Sequence, residues 1–514
     1  MKKILFIIVL FATVFTLVIT VSAAQSDKTV GGSIGATVTW SYDPSTAVLT
    51  ITGNGEMYDF PQYGPWWQSY RDDIKTVIIE DGITNVGDRA FYGCKALTNV
   101  TLPDSITEIG TTAFLGCSSI TELTLPKNLV KISEGAFAVC SFSSIEIPKT
   151  VTEIGSNAFS DCKMLTSVVI PDGIAKIDVS LFRACVNLTS VVIPDSVTEI
   201  DNGAFNGCEK LASVTIPEGV TRIGEWAFMG CNSLTEVVVP KNVTIIDDHA
   251  FDRCKELVKV SLPEGLVKIG SEAFARCHKL SEITLPSTLK TIELMAFFEC
   301  ESLESINIPD KVSEMGHSAF SNCKKLKTVT IPGSITKLEK HVFDCCYALT
   351  SVIIENGVEV IDEQAFSFCS SLEYVTIPVS VKEIKSYAFW YAPIKEVTYY
   401  GAEEDWFEVS INLNANEELR RTVKYHTHEY AEVVSEDYLK QAATTETRAI
   451  YYKSCECGKK SAETFMHGDP LPKENGNEGS STGCEGCANS SSLNILFLFV
   501  MALLCVPFRK KLFL

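Results

Sequence analysis

The sequence predicts a β-rich solenoid, a stack of short coils closed around one long core. Three observations carry that expectation. Phenylalanine recurs every 23 residues at Phe91, Phe114, Phe137, Phe159, Phe182, Phe205, Phe228, Phe251, Phe274, Phe297, Phe320, Phe343, Phe366 and Phe389, with one 22-residue step from Phe137 to Phe159. A cysteine follows three residues after each of the first thirteen, as in Cys94, Cys117, Cys208 and Cys231. Between them runs an apolar pattern with strand spacing. A fixed period of this length marks stacked identical units.

One unit shows the local logic. In Cys185-Val-Asn-Leu188-Thr-Ser-Val191-Val-Ile193-Pro194, Val191 and Ile193 are two apart and share one face of a strand. Pro194 has no amide hydrogen and ends that strand. Val197 and Ile200 begin a second pass, and Ala204-Phe205 closes the coil. Each unit sends apolar side chains inward and cannot bury them alone, so its neighbours must supply the walls.

The pattern Leu-x-x-Val-x-Ile-Pro-x-x-Val-x-x-Ile-(x)3-Ala-Phe-x-x-Cys, carried by residues 74–400, resembles the Treponema-type leucine-rich repeat of BspA-like surface proteins. The resemblance implies a curved, right-handed leucine-rich-repeat solenoid, displayed on a cell surface and often linked to adhesion.

The chain has 514 residues, 46% of them hydrophobic, a length natural to an array that grows in one dimension. Its net charge of −20 argues against nucleic acid, which needs a basic surface. Residues 1–23, with Lys2-Lys3 and an apolar run from Ile4 to Val21, read as a signal peptide, an uncleaved anchor being the alternative. Residues 493–508 form an apolar run followed by the basic tail 509–514. That order reads as a transmembrane or sorting segment, with the body of the protein outside the cell.

Residues 24–73 are expected to form an N-terminal cap, with Trp66-Trp67 covering the end of the core, and 401–425 a C-terminal cap. Residues 426–467 form a small His/Cys module and 468–492 a flexible linker rich in Gly, Ser, Asn and Glu. Within the module, His426, His428, Cys455 and Cys457 offer nitrogen and thiol ligands that zinc would accept. A Cys–Cys link, unpaired thiols or a plain β module are the alternatives.

Two columns invite a functional reading. Glu108, Lys131, Glu153, Lys176, Glu199 and Arg222 occupy one position in six successive units with alternating sign. They are expected to form a ladder in which each charge meets opposite partners above and below. The in-register cysteines are expected as buried thiols, since stacked side chains point in parallel, and Cys345 as an outward-facing one. The outward strand position next to the proline carries mostly Thr, Ser and Val; only Tyr374 stands out on that face.

No phosphate loop, nucleophile elbow or His-Glu-x-x-His motif occurs. His249 and His341 stand four units apart, and Asp247-Asp248 read as exposed turn residues. No cofactor is expected. The sequence therefore points to a non-enzymatic surface protein that contacts extracellular proteins, a host or another cell through an extended face, or else to a structural coat.

Overall fold

The computed structural model describes residues 29–61, 64–425, 439–441, 449–454 and 460–467. The signal peptide, linker, apolar segment and tail expected from the sequence lie outside the described residues, as do His426, His428, Cys455 and Cys457. Among the described residues no helix is long and apolar enough to cross a membrane.

The chain forms two compact units. The second contains an antiparallel sheet of Leu439–Gln441, Ala449–Ser454 and Lys460–His467. The first is a β-solenoid built as the repeat dictates. Its first-pass strands pair in parallel with the next coil at a shift of one period, Val168 opposite Val191 and Val329 opposite Val352. Two-residue strands of the second pass do the same, Ile200 opposite Ile223 and Ile269 opposite Ile292. Inward positions of both passes, such as Leu188, Val197 and Ile200, are fully buried.

The phenylalanines form one continuous column. Thirteen consecutive ring pairs lie 5.1–5.7 Å apart with interplanar angles of 1–24°. At 23 residues per coil each ring lands on its predecessor, a near-parallel contact worth more than the buried area alone. The 22-residue coil loses one residue between Cys140 and Pro148. There Phe142 fills the slot held by Leu or Ile elsewhere, buried edge-on between Phe137 and Phe159 at 6.2 and 6.3 Å.

The backbone around each ring is the most regular part of the fold. The residues two before and two after Phe228, Trp226 and Gly230, have φ of 55° and 71°. The same two positions are left-handed in every other coil, from Arg89 and Gly93 to Tyr387 and Tyr391. Most are not glycine, although this conformation costs an ordinary residue about 1–2 kcal/mol. The compensation is visible in the hydrogen bonds. Trp226, Phe228 and Gly230 donate their N–H groups to the carbonyls of Asp248, Ala250 and Asp252 in the next coil at 3.0, 2.8 and 2.8 Å. Three such bonds recur at each junction from the Phe91 coil to the Phe366 coil, all pointing the same way along the stack. The first-pass sheet, by contrast, is interrupted, with no strand assigned at 213–216 or 305–308.

The cysteines complete this turn. All thirteen in register are buried. From Cys117 to Cys369 each Sγ donates to the phenylalanine carbonyl of the preceding coil at 3.1–3.4 Å. Burial pushes the Cys94 and Cys162 thiols up to about 12. Each therefore stays protonated, and from Cys117 onward the proton is aimed at a carbonyl rather than at the neighbouring sulfur. Cys345, outside this register, is half-buried rather than fully outward, and its backbone N–H joins the ladder through Ser367 O at 2.9 Å.

A directional ladder leaves carbonyls open at one end and N–H groups at the other. At the first coil, the Phe60 N–H reaches Asp88 O at 3.1 Å and the Trp67 indole N–H reaches Ala90 O at 2.9 Å. The Trp67 ring stacks on Phe91 at 5.9 Å, whereas its neighbour Trp66 is exposed. At the last coil, Asn414 O accepts from Tyr387 at 2.9 Å and the Asn416 side-chain oxygen accepts from Phe389 at 3.1 Å. Asn416 is 2% exposed and anchored by its own amide to Lys385 O and Asn412 O.

Replacing Phe228 by Ala removes a fully buried ring from between partners at 5.3 and 5.4 Å. We expect a loss of about 3–5 kcal/mol in chemical denaturation. An unchanged unfolding midpoint would contradict the stacked register.

Candidate interaction surfaces

Four features of the solenoid face solvent with chemistry to offer. The first is the strand face, where Val169, Val192, Val238, Ile353 and Tyr374 are exposed among Thr and Ser positions. Ion pairs stitch neighbouring coils beside it, Lys259 to Glu236 at 3.1 Å, Lys327 to Glu304 at 2.7 Å and Lys395 to Glu373 at 2.7 Å. Exposed pairs of this kind contribute about 0.2–1 kcal/mol each. Their role is register rather than strength.

The second is the charge column of the second pass, which departs from a simple alternating ladder. Lys131 lies 3.1 Å from Glu108 and 3.8 Å from Glu153. Arg222 reaches Glu199 at 2.8 Å. Lys176, however, turns to Asp201 at 2.7 Å and Asp178 at 3.8 Å, two positions further along the chain. Asp201 also receives Arg222 at 2.8 Å. The physical reason is burial: Asp201 is 8% exposed and a carboxylate cut off from water draws cations more strongly than Glu199 at the rim. Asp247 likewise is no free turn residue, lying 3.3 Å from Arg222, while Asp248 accepts the Ser271 N–H at 2.8 Å.

Asp362 is the extreme of this pattern. It is 1% exposed and sits between Lys337 at 2.8 Å and Lys385 at 3.0 Å. Burial raises its pKa, but hydrogen bonds from Lys337, the Glu363 N–H and Lys385 outweigh that and hold the carboxyl at about 2.

The third feature escaped sequence reasoning. Phe368, Tyr387, Trp390 and Tyr391 cluster at the last two coils, with Phe368 4.9 Å from Trp390 and 5.1 Å from Tyr391. Tyr391 is 65% exposed. These rings lie beside the phenylalanine turn, not on the strand face. The available signal was the run Tyr387-Ala-Phe-Trp-Tyr391 itself.

The fourth is an ion-pair cluster in the Phe251 and Phe274 coils. His249, which has no ligating partner in its own column at His341, instead stacks on Trp226 at 6.0 Å and faces Asp252 and Glu272. Asp252 is 1% exposed, and burial raises its carboxyl despite Arg276 and Arg253 nearby.

The Asp362 geometry has a pH consequence. Its folded pKa lies below the ordinary 3.8, so its contribution is complete above about pH 4 and is lost as pH falls toward 2. The contribution is about 2 kcal/mol. Asp362→Asn should therefore be less stable than the parent at pH 7 by about that amount, with the gap closing in acid. A gap that stays constant down to pH 2 would contradict the pairing.

Comparison with known proteins places this architecture. A six-copy model of the BspA type leucine rich repeat region matches residues 69–189, 175–304 and 290–410. Among solved structures, the chain is similar to a leucine-rich repeat protein from Bacteroides ovatus, at 22% identity and a TM-score of 0.43. That match covers 77% of this chain and 100% of that one. It is also similar to a leucine rich cell surface protein from Faecalibacterium prausnitzii, at 27% identity and a TM-score of 0.35, covering 75% and 98%. The T. pallidum leucine rich repeat protein matches at 27% identity and a TM-score of 0.24, covering 47% and 86%. No curated protein matches the chain. With the repeat model spanning most of its length, the chain belongs to the BspA-type leucine-rich repeat family.

Proposed function

We propose that this is a cell-surface protein whose solenoid binds extracellular proteins or cell-surface components through many weak, repeated contacts, without catalysis. The observation that carries this reading is the uniformity of the strand face. Exposed side chains along it are mostly Thr, Ser and Val, flanked by ion pairs from coil to coil, so no single coil holds a private site. Weak contacts repeated along a rod, and again across many tethered copies, hold through effective concentration.

Surface display rests on the sequence of the two ends. Residues 1–23 direct secretion and 493–508 hold the chain at a membrane or envelope, with 509–514 inside. Residues 24–73 and 401–425 act as caps. Trp67 and Asn416 support this, since each covers the end of the phenylalanine column and supplies the hydrogen-bonding group that end lacks. A second reading is favoured by the aromatic cluster of Phe368, Tyr387, Trp390 and Tyr391. Clustered rings of this kind form binding hot spots, so adhesion would depend on those two coils alone.

The discriminating experiment measures adhesion of beads displaying arrays shortened by two, four and six whole units, with both ends retained. Multivalent binding requires adhesion to fall gradually with coil number. Abrupt loss on removing the Phe366 coil alone would favour the aromatic site. A full-length array that adheres to no surface would favour a structural coat.

A further inference from the structure

The ion-pair cluster on the Phe251 coil holds three ligating groups at the separations a metal ion requires. His249 stands two residues before Phe251 and Glu272 two before Phe274, so the repeat stacks them in one column. Asp252 follows Phe251 and turns back beneath them. His249 Nδ1 lies 3.8 Å from Asp252 Oδ2 and 3.8 Å from Glu272 Oε2. The three ligand atoms all fall within 4.8 Å of one another, the one such group among the described residues. Ligands about 2.0–2.2 Å from a tetrahedral ion are themselves about 3.4 Å apart. The two edges measured from His249 need to close by only a few tenths of an ångström to reach that spacing.

A second observation sets this cluster apart from an ordinary acidic surface. The His249 Nδ1 atom is buried yet makes no hydrogen bond. A buried polar atom left without a partner is costly, and this one faces two carboxylates across a gap that a bound ion would bridge. The imidazole is also held in place. Its residue is fixed in the left-handed conformation with its N–H on Ser271 O, and its ring stacks on Trp226 at 6.0 Å.

Two arginines compete for the same carboxylates. Arg276 Nε lies 3.2 Å from Asp252 Oδ1, and its guanidinium bonds to Glu272 Oε2; Arg253 Nε lies 3.7 Å from Asp252 Oδ2. A bound dication must displace Arg276 from Glu272. Its guanidinium carbon already lies over the Phe298 ring, 5.9 Å from the centroid, a contact that does not depend on Glu272.

We propose that His249 Nδ1, Asp252 Oδ2 and Glu272 Oε2 bind a divalent transition metal ion of the zinc class, with water in the fourth position. One imidazole with two carboxylates selects zinc, cobalt or nickel over calcium and magnesium, which take oxygen ligands. The ion ties the Phe251 coil to the Phe274 coil, because its ligands come from both. This site stands apart from the strand face and does not depend on the adhesion reading.

The test titrates cobalt(II) and zinc into the metal-stripped full-length protein, reading visible absorbance, bound equivalents after dialysis and the unfolding midpoint. His249→Asn is the main variant, because asparagine accepts the left-handed backbone that this position requires. It should lose one equivalent of metal, or bind it at least about tenfold more weakly, while its metal-free unfolding midpoint matches the parent. Arg276→Gln should bind more tightly than the parent, since it removes the competing cation. The cobalt spectrum of this site should lack a thiolate charge-transfer band and survive a Cys455→Ser, Cys457→Ser double substitution. The proposal is overturned if His249→Asn and the parent bind the same number of ions with the same affinity. Absence of cobalt and zinc binding by the parent overturns it equally.

Discussion

The structure depends on a set of three backbone hydrogen bonds made where each coil turns past its phenylalanine. N–H groups at the ring and two residues to either side all point along the stack to carbonyls of the next coil. Intervening N–H groups bond within their own turn, as Ala227 does to Gly224 O and Met229 to Trp226 O. Every donor of the turn is thereby satisfied in a buried setting, where an orphan would be costly. The alternation requires two left-handed residues per coil, and the fold accepts that cost even for Trp226, His249 and Tyr387. The stacked rings and the cysteine thiols then fill the space that this backbone encloses.

That geometry decides where function can reside. Inward positions are committed to the core, so chemistry can vary only on the strand face, along the second pass and in the columns flanking the ring. The strand face carries small β-formers and the second pass carries register-fixing charges. The flanking columns are different: they hold the aromatic cluster at the last coils and the His249, Glu272 and Arg276 group. Side chains there project from a rigid turn, which makes them the best-positioned groups on the molecule.

Much of the fold was legible because one period wrote every coil. The phenylalanine column, the two strand passes and the proline stops follow from spacing alone. What spacing did not reveal were contacts set by depth. Lys176 prefers Asp201 to its column neighbours because Asp201 is nearly buried, a property no single column displays. Asp247 and Asp248 look like free turn residues until the next coil supplies Arg222 and Ser271. The left-handed positions were hidden because so few of them are glycine. His249 shares its column with another histidine, His341, whereas its actual partners are acids, one on its own coil and one on the next.

The central claim is that the phenylalanine-turn ladder, not the strand sheet, holds the array together. Native-state hydrogen exchange tests it most directly, because exchange reports the local opening energy amide by amide. The ladder amides of Phe228 and Phe320 should be as protected as those of Phe205 and Phe251. That should hold even though their own coils lack an assigned strand at 213–216 and 305–308. If protection instead drops at those two coils and follows the strands, the sheet is the stabilising element and the ladder is not.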